Sequence, residues 1–189
     1  MEKTGVQKLA GVLKVLVTIT IGCNLLALFL VPGLAMMKGF DPLLGLTPYE
    51  TALELPARVW MVFVMSWVWV WRSGAYDVVL TLFLLFCGCC TAVILWQARR
   101  VLDTVLTGDT FTFGNAANMK RAAICCFLIS AAALGRTVWG LCFYRSLMPL
   151  LTYNALFVPV FLMAGLLCMV MSALFRQAAE LKAENDLTI

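Results

Sequence analysis

Histidine is missing from all 189 residues of the chain. Its absence removes the commonest general base, the Ser-His and Cys-His dyads, and the usual zinc and haem ligands. Charge is also scarce: Asp, Glu, Lys and Arg make up 13% of the residues, against 63% hydrophobic and a mean hydropathy of +0.96. Soluble domains carry about 25% charged residues, so an ordinary water-surrounded fold is excluded and most of the chain faces lipid. The eight cysteines (Cys23, Cys87, Cys89, Cys90, Cys125, Cys126, Cys142, Cys168) lie almost entirely inside apolar runs, not in a small loop-rich module, so no disulfide framework is implied. The apolar runs hold no Asp-Asp pair, which disfavours an intramembrane acid protease-like enzyme. These absences lead to the expectation of a protein that is not an enzyme, with no catalytic residue, no cofactor and no resident metal.

Long apolar runs are what the sequence does have. Four of them, at about 9–31, 75–97, 121–144 and 153–175, reach the length a crossing helix needs. That length is about 20 residues, because a hydrocarbon core some 30 Å thick is crossed at 1.5 Å per residue. The first run follows Lys3 and Lys8 as a signal peptide would, but it is too long for an ordinary apolar signal core and is expected to be a retained helix. A fifth run, Val59 to Trp71, has 13 residues and would rise only about 20 Å as a helix, too little to cross unaided.

Basic residues decide between four crossings and five, since loops rich in Lys and Arg stay in the cytosol. With four, Lys3, Lys8, Lys14, Arg99, Arg100, Lys120, Arg121, Arg176 and Lys182 are all inside, nine of the fourteen basic residues. Lys38, Arg58, Arg72 and Arg145 are then outside and Arg136 is within a crossing. A fifth crossing would move Arg99, Arg100, Lys120 and Arg121 outside. Four crossings are therefore expected, with residues 32–74 external, residues 98–120 and 176–189 cytosolic, and both termini in the cytosol of a plasma-membrane protein. The fold class expected is an all-α integral membrane protein of four transmembrane helices.

The external stretch opens as a loop broken by Pro32, Pro42, Pro48 and Pro56. In the run 59–71, Trp60, Trp67, Trp69 and Trp71 suit the headgroup region, where an apolar ring meets an N–H that needs a partner. An interfacial and a re-entrant element both satisfy this. On the cytosolic side, residues 97–107 keep helical spacing, so the second crossing should run on past the membrane to a stop at Gly108. Phe111 and Phe113 follow, and Asn115 is a credible N-cap for the helix leading into the third crossing. The result is a cytosolic hairpin between the second and third helices. Beyond the fourth crossing a polar helix is expected over 176–185, with Arg176 and Glu180 one turn apart.

Arg136 is the most informative single residue, because a charge inside a crossing is costly unless paired or watered. It sits some eight residues from the outer end, roughly 12 Å along a helix, and Asp77 lies near the outer end of the second crossing. Two readings stand side by side: an Asp77–Arg136 ion pair, and an arginine that snorkels outward alone. Asn24, Thr18, Thr20, Thr81, Ser130 and Asn154 are the other polar residues in the runs, thin support for an ion pathway. The cysteine clusters admit a soft-metal reading, but Ala122, Cys126 and Ser130 recur every fourth residue, as do Ala164, Cys168 and Ser172. Such small-residue stripes let membrane helices approach. The cluster Arg99, Arg100, Lys120 and Arg121 reads either as a site for anionic lipid or as the ordinary topogenic signal. Because these charges lie at the ends of apolar runs, direct nucleic-acid binding is not expected.

The tail Asp186, Leu187, Thr188 and Ile189 is expected to be a contact surface, since apolar side chains gain nothing from a solvated end. It would add as a strand to a partner's sheet edge or dock beside Phe111 and Phe113.

Two stretches stand out, Leu106 to Phe111 (LTGDTF) with Asn115, Lys120 and Arg121 following, and Leu181 to Ile189 (LKAENDLTI). In them the sequence resembles a bacterial membrane-protein family, domain of unknown function 2975. The resemblance implies four membrane helices and frequent genetic neighbourhood with a small helix-turn-helix regulator of the Cro/repressor type, and it brings no established activity. The function expected is accordingly a membrane module whose cytosolic contact surface, Phe111, Phe113, Asn115 and residues 186–189, binds or regulates a soluble partner such as that DNA-binding regulator. The alternative is a small transporter or an immunity-type membrane subunit. The lipid bilayer is a partner in either case, and a homo-oligomer is open.

Overall fold

A computed structural model describes residues 5–35, 54–145 and 147–186. These residues form five α-helices: α1 (Gly5–Ala35), α2 (Glu54–Trp69), α3 (Ala75–Thr107), α4 (Phe113–Tyr144) and α5 (Tyr153–Asp186). Short 3-10 turns at Val70–Arg72 and Met148–Leu151 follow α2 and precede α5. No strand occurs among the described residues. Helices α1, α3, α4 and α5 are each long and apolar enough to cross a membrane, so four of the five helices match the four expected crossings and the chain fits a multi-pass membrane protein. At 1.5 Å per residue they rise about 45–50 Å, well beyond the hydrocarbon core, so each carries a polar extension.

Two compact units divide the chain, one comprising residues 1–24 and 89–189 and the other residues 25–88. In the larger unit α4 packs along α5. Of the four long helices α4 is the most enclosed and α5 the least. The buried face of α4 is built from Ala122, Ala123, Cys126, Ile129, Ser130, Ala133, Thr137 and Gly140, side chains small enough to bring backbones close. Ser130 Oγ donates to the carbonyl of Val158 at 2.8 Å, and Ser172 Oγ donates to the carbonyl of Ala116 at 2.7 Å. The serine of each expected stripe thus bonds across the same helix pair in antiparallel register. A Cβ on Gly165 would stand 2.7 Å from the Phe127 ring, so glycine is what lets that ring lie against α5.

In the smaller unit α1 continues through Pro32 to Ala35. The expected external loop therefore starts later than residue 32. Pro32 has no N–H and its ring crowds the preceding turn. One turn earlier, the carbonyl of Phe29 accepts the indole N–H of Trp67 at 3.0 Å, and the Phe29 and Trp60 rings stack at 5.4 Å. Gly33 meets the Phe63 ring so closely that any Cβ would collide. The apolar run 59–71 is helical from Glu54, with Pro56 accommodated in the first turn, where no helical N–H is lost. The run closes as the 3-10 turn at Val70–Arg72.

Candidate functional site

The hairpin between α3 and α4 is the most elaborately bonded part of the larger unit. Helix α3 stops where expected: Gly108 takes φ +83, a left-handed backbone that glycine adopts without strain, and its N–H returns to the Val105 carbonyl at 3.3 Å. Helix α4 then starts earlier than expected. Its N-cap is Thr112, extended at φ −129 and ψ 150, whose hydroxyl accepts from the backbone N–H of Asn115 at 3.2 Å. Asn115, expected as the cap, is instead the third residue of the helix, and its side chain turns inward. Its Nδ2 donates to Thr104 Oγ1 at 2.6 Å and to the Thr110 carbonyl at 2.7 Å, with the residue 1% exposed. Asn115 therefore ties the two arms of the hairpin together and offers nothing to the outside.

Two lysines from the ends of the chain close on the same hairpin. Lys14 of α1 meets Asp103 of α3 at 2.7 Å, and Lys182 of α5 meets Asp109 in the turn at 2.8 Å. All four side chains keep a third or more of their surface exposed, so each pair contributes on the order of 1 kcal/mol or less. Arg176 and Glu180 form the expected pair along α5 at 2.9 Å. Asn115 Oδ1 is buried without a hydrogen-bond partner, and the hairpin keeps two aromatic side chains at its surface. Phe111 is 52% exposed although its ring lies 6.1 Å from that of Phe175, and Phe113 is 56% exposed. Of the expected tail, Asp186 ends α5, and Leu187, Thr188 and Ile189 lie outside the described residues.

A second polar group lies within the membrane-crossing length of α4 and α5. Arg136 donates from a terminal nitrogen to Asn154 Oδ1 at 3.2 Å. Asn154 Nδ2 donates in turn to Thr137 Oγ1 at 3.0 Å and to the Ala133 carbonyl at 3.3 Å. Asn154 stands in the first turn of α5, brought opposite Thr137 by the 3-10 turn that packs Pro149 against Gly140. Sequence reasoning named Asn154 only among several scattered polar residues; an asparagine within reach of a helix start, facing an arginine in an apolar run, was the available signal. Asp77 belongs to the first turn of α3, in the other unit, and its pairing with Arg136 remains an expectation. Thr18 and Thr20 bond back to carbonyls of their own helix, and no series with Arg136 is built from them. Asn24 Oδ1 and Thr81 Oγ1 are buried without a hydrogen-bond partner.

Cys90, Cys125, Cys126 and Cys168 are distributed over α3, α4 and α5, and among the described residues no three of Cys, Asp and Glu converge as a metal ion would require.

A family model, described as a protein of unknown function (DUF2975), matches residues 47–189 of the chain. Neither the curated proteins nor the solved structures contain a match. The chain belongs to the DUF2975 family.

Proposed function

We propose that this member of the DUF2975 family is a non-enzymatic module of the plasma membrane whose hairpin, on the cytosolic side, binds a soluble protein. One observation carries the reading: the hairpin is fixed by internal bonds at Thr104, Asp109, Thr112 and Asn115, yet Phe111 and Phe113 both stay half exposed. Apolar side chains held on a rigid polar frame are how a protein surface presents an anchor to a partner. The excess of Lys and Arg at this end favours the cytosol as the compartment. Resemblance to a family often encoded beside helix-turn-helix regulators favours a DNA-binding regulator as the partner, held at the membrane by protein contact and not through direct nucleic-acid binding. The tail 186–189 would extend the same surface.

Affinity purification from native membranes tests this. A soluble protein should co-purify at one-to-one stoichiometry, and should be lost with F111S/F113S or with deletion of residues 186–189 while the thermal midpoint of the purified protein stays unchanged. Recovery of membrane subunits alone would overturn the proposal. It would instead favour a transporter or immunity-type subunit acting through its crossings, for which the Arg136, Asn154 and Thr137 group is the supporting observation.

A further inference from the structure

The structure sorts the basic residues near the hairpin into two kinds. Lys14 and Lys182 are taken up by the two hairpin aspartates, Asp103 and Asp109. Arg99, Arg100, Lys120 and Arg121 have neither an ion pair nor a side-chain hydrogen bond. They also share one level. The Thr104–Asn115 bond at 2.6 Å fixes the register of the two antiparallel arms. Four and five residues back along α3 lie Arg100 and Arg99, and five and six residues forward along α4 lie Lys120 and Arg121. All four cations thus stand about 6–9 Å from the Asn115 level, two on each arm, with Arg100, Lys120 and Arg121 exposed and Arg99 partly so. Four like charges at one level, with no acidic side chain among them, repel one another unless an outside anion neutralises them.

Helix α5 tells what kind of anion. The Ser172–Ala116 bond at 2.7 Å sets Lys120 opposite about residue 168. From that level back into the membrane-crossing length, α5 exposes Leu162, Met163, Leu166 and Leu167. Next to the cations the protein surface is therefore apolar, which a water-soluble acidic partner would leave uncovered. A phospholipid covers both, acyl chains against α5 and headgroup phosphate on the cations. We infer that Arg99, Arg100, Lys120 and Arg121 form a binding belt for the phosphates of anionic phospholipids at the hairpin end of the crossings. This goes beyond the partner-binding reading and does not depend on it.

The test compares purified protein in nanodiscs of phosphatidylcholine alone with nanodiscs that also contain phosphatidylglycerol, reading the thermal midpoint and the phosphatidylglycerol retained per protein after delipidation. The wild type should gain about 5 °C in the anionic discs and retain phosphatidylglycerol selectively. R99Q/R100Q/K120Q/R121Q should lose both effects, and each arm's pair, R99Q/R100Q or K120Q/R121Q, about half of them. K14Q/K182Q removes as much charge as one arm's pair but should keep the full lipid effect, and R99K/R100K/R121K should keep most of it. If the fourfold variant does not fold, the two arm variants decide. An undiminished midpoint gain in the neutralised variants would overturn the belt. So would an equal gain from inorganic phosphate added to phosphatidylcholine discs, which would reveal a site for soluble anions.

Discussion

Asn115 and Thr104 face each other across the hairpin, Nδ2 to Oγ1 at 2.6 Å, and the same nitrogen reaches the Thr110 carbonyl at 2.7 Å. One amide thus joins the end of α3, the turn and the start of α4. Replacing it with alanine strips the Thr110 carbonyl of its donor, at a cost of about 1–3 kcal/mol. N115D is the same size but turns a carboxylate oxygen toward the Thr110 carbonyl and toward a Thr104 hydroxyl whose proton is given to the Val101 carbonyl, so it should destabilise at least as much as N115A. Thermal unfolding in detergent should place both variants below the wild type, in that order.

The Gly165–Phe127 approach makes a second forecast. G165A puts a methyl 2.7 Å from the ring, and overpacking of this kind costs about 1–3 kcal/mol. F127L in the same chain should recover part of the loss. G135A, whose Cβ meets open space, should be neutral or stabilise by about 0.5–1 kcal/mol through helix propensity.

Asn154 joins Arg136, Thr137 and Ala133. N154A should therefore lower stability by about 1–3 kcal/mol, and a double-mutant cycle with R136Q should show coupling of about 0.5 kcal/mol or more. A parallel cycle of D77N with R136Q decides the expected ion pair: simple additivity would discard it.

The cytosolic placement of the hairpin is tested by labelling. A single cysteine at Thr107, in a background stripped of native cysteines, should resist a membrane-impermeant maleimide in intact cells and react after permeabilisation. Strong labelling from outside would reverse the proposed orientation.

Much of the helical framework was legible because lipid imposes length and composition on each crossing. The overrun of α3 to Gly108 followed from helical spacing and one glycine, and the stripes of Cys126 and Ser172 followed from a four-residue repeat. The start of α4 was misread because threonine and asparagine both cap helices, and spacing alone does not say which is extended. Thr112 takes the cap since Asn115, three residues on, has two acceptors waiting inside the hairpin. Pro32 looked like the end of α1, yet a proline in a crossing is tolerated when neighbouring groups satisfy the backbone around it, and the Trp67 indole bonds the Phe29 carbonyl in the turn before it. The Arg136–Asn154 contact depends on the fold of the turn before α5, a feature that no local pattern encodes.

The pairs Lys14–Asp103 and Lys182–Asp109 set an order in time. A ribosome releases Lys14 long before Asp103 exists, and Asp109 is made 73 residues before its lysine. The first helix must therefore wait in the membrane with its lysine unmatched, and the hairpin completes its clasp only when the final turns of α5 emerge. A chain cut short within α5 before Lys182 would leave Asp109 without its lysine, so completion of the last helix and closure of the hairpin are reported by one and the same ion pair.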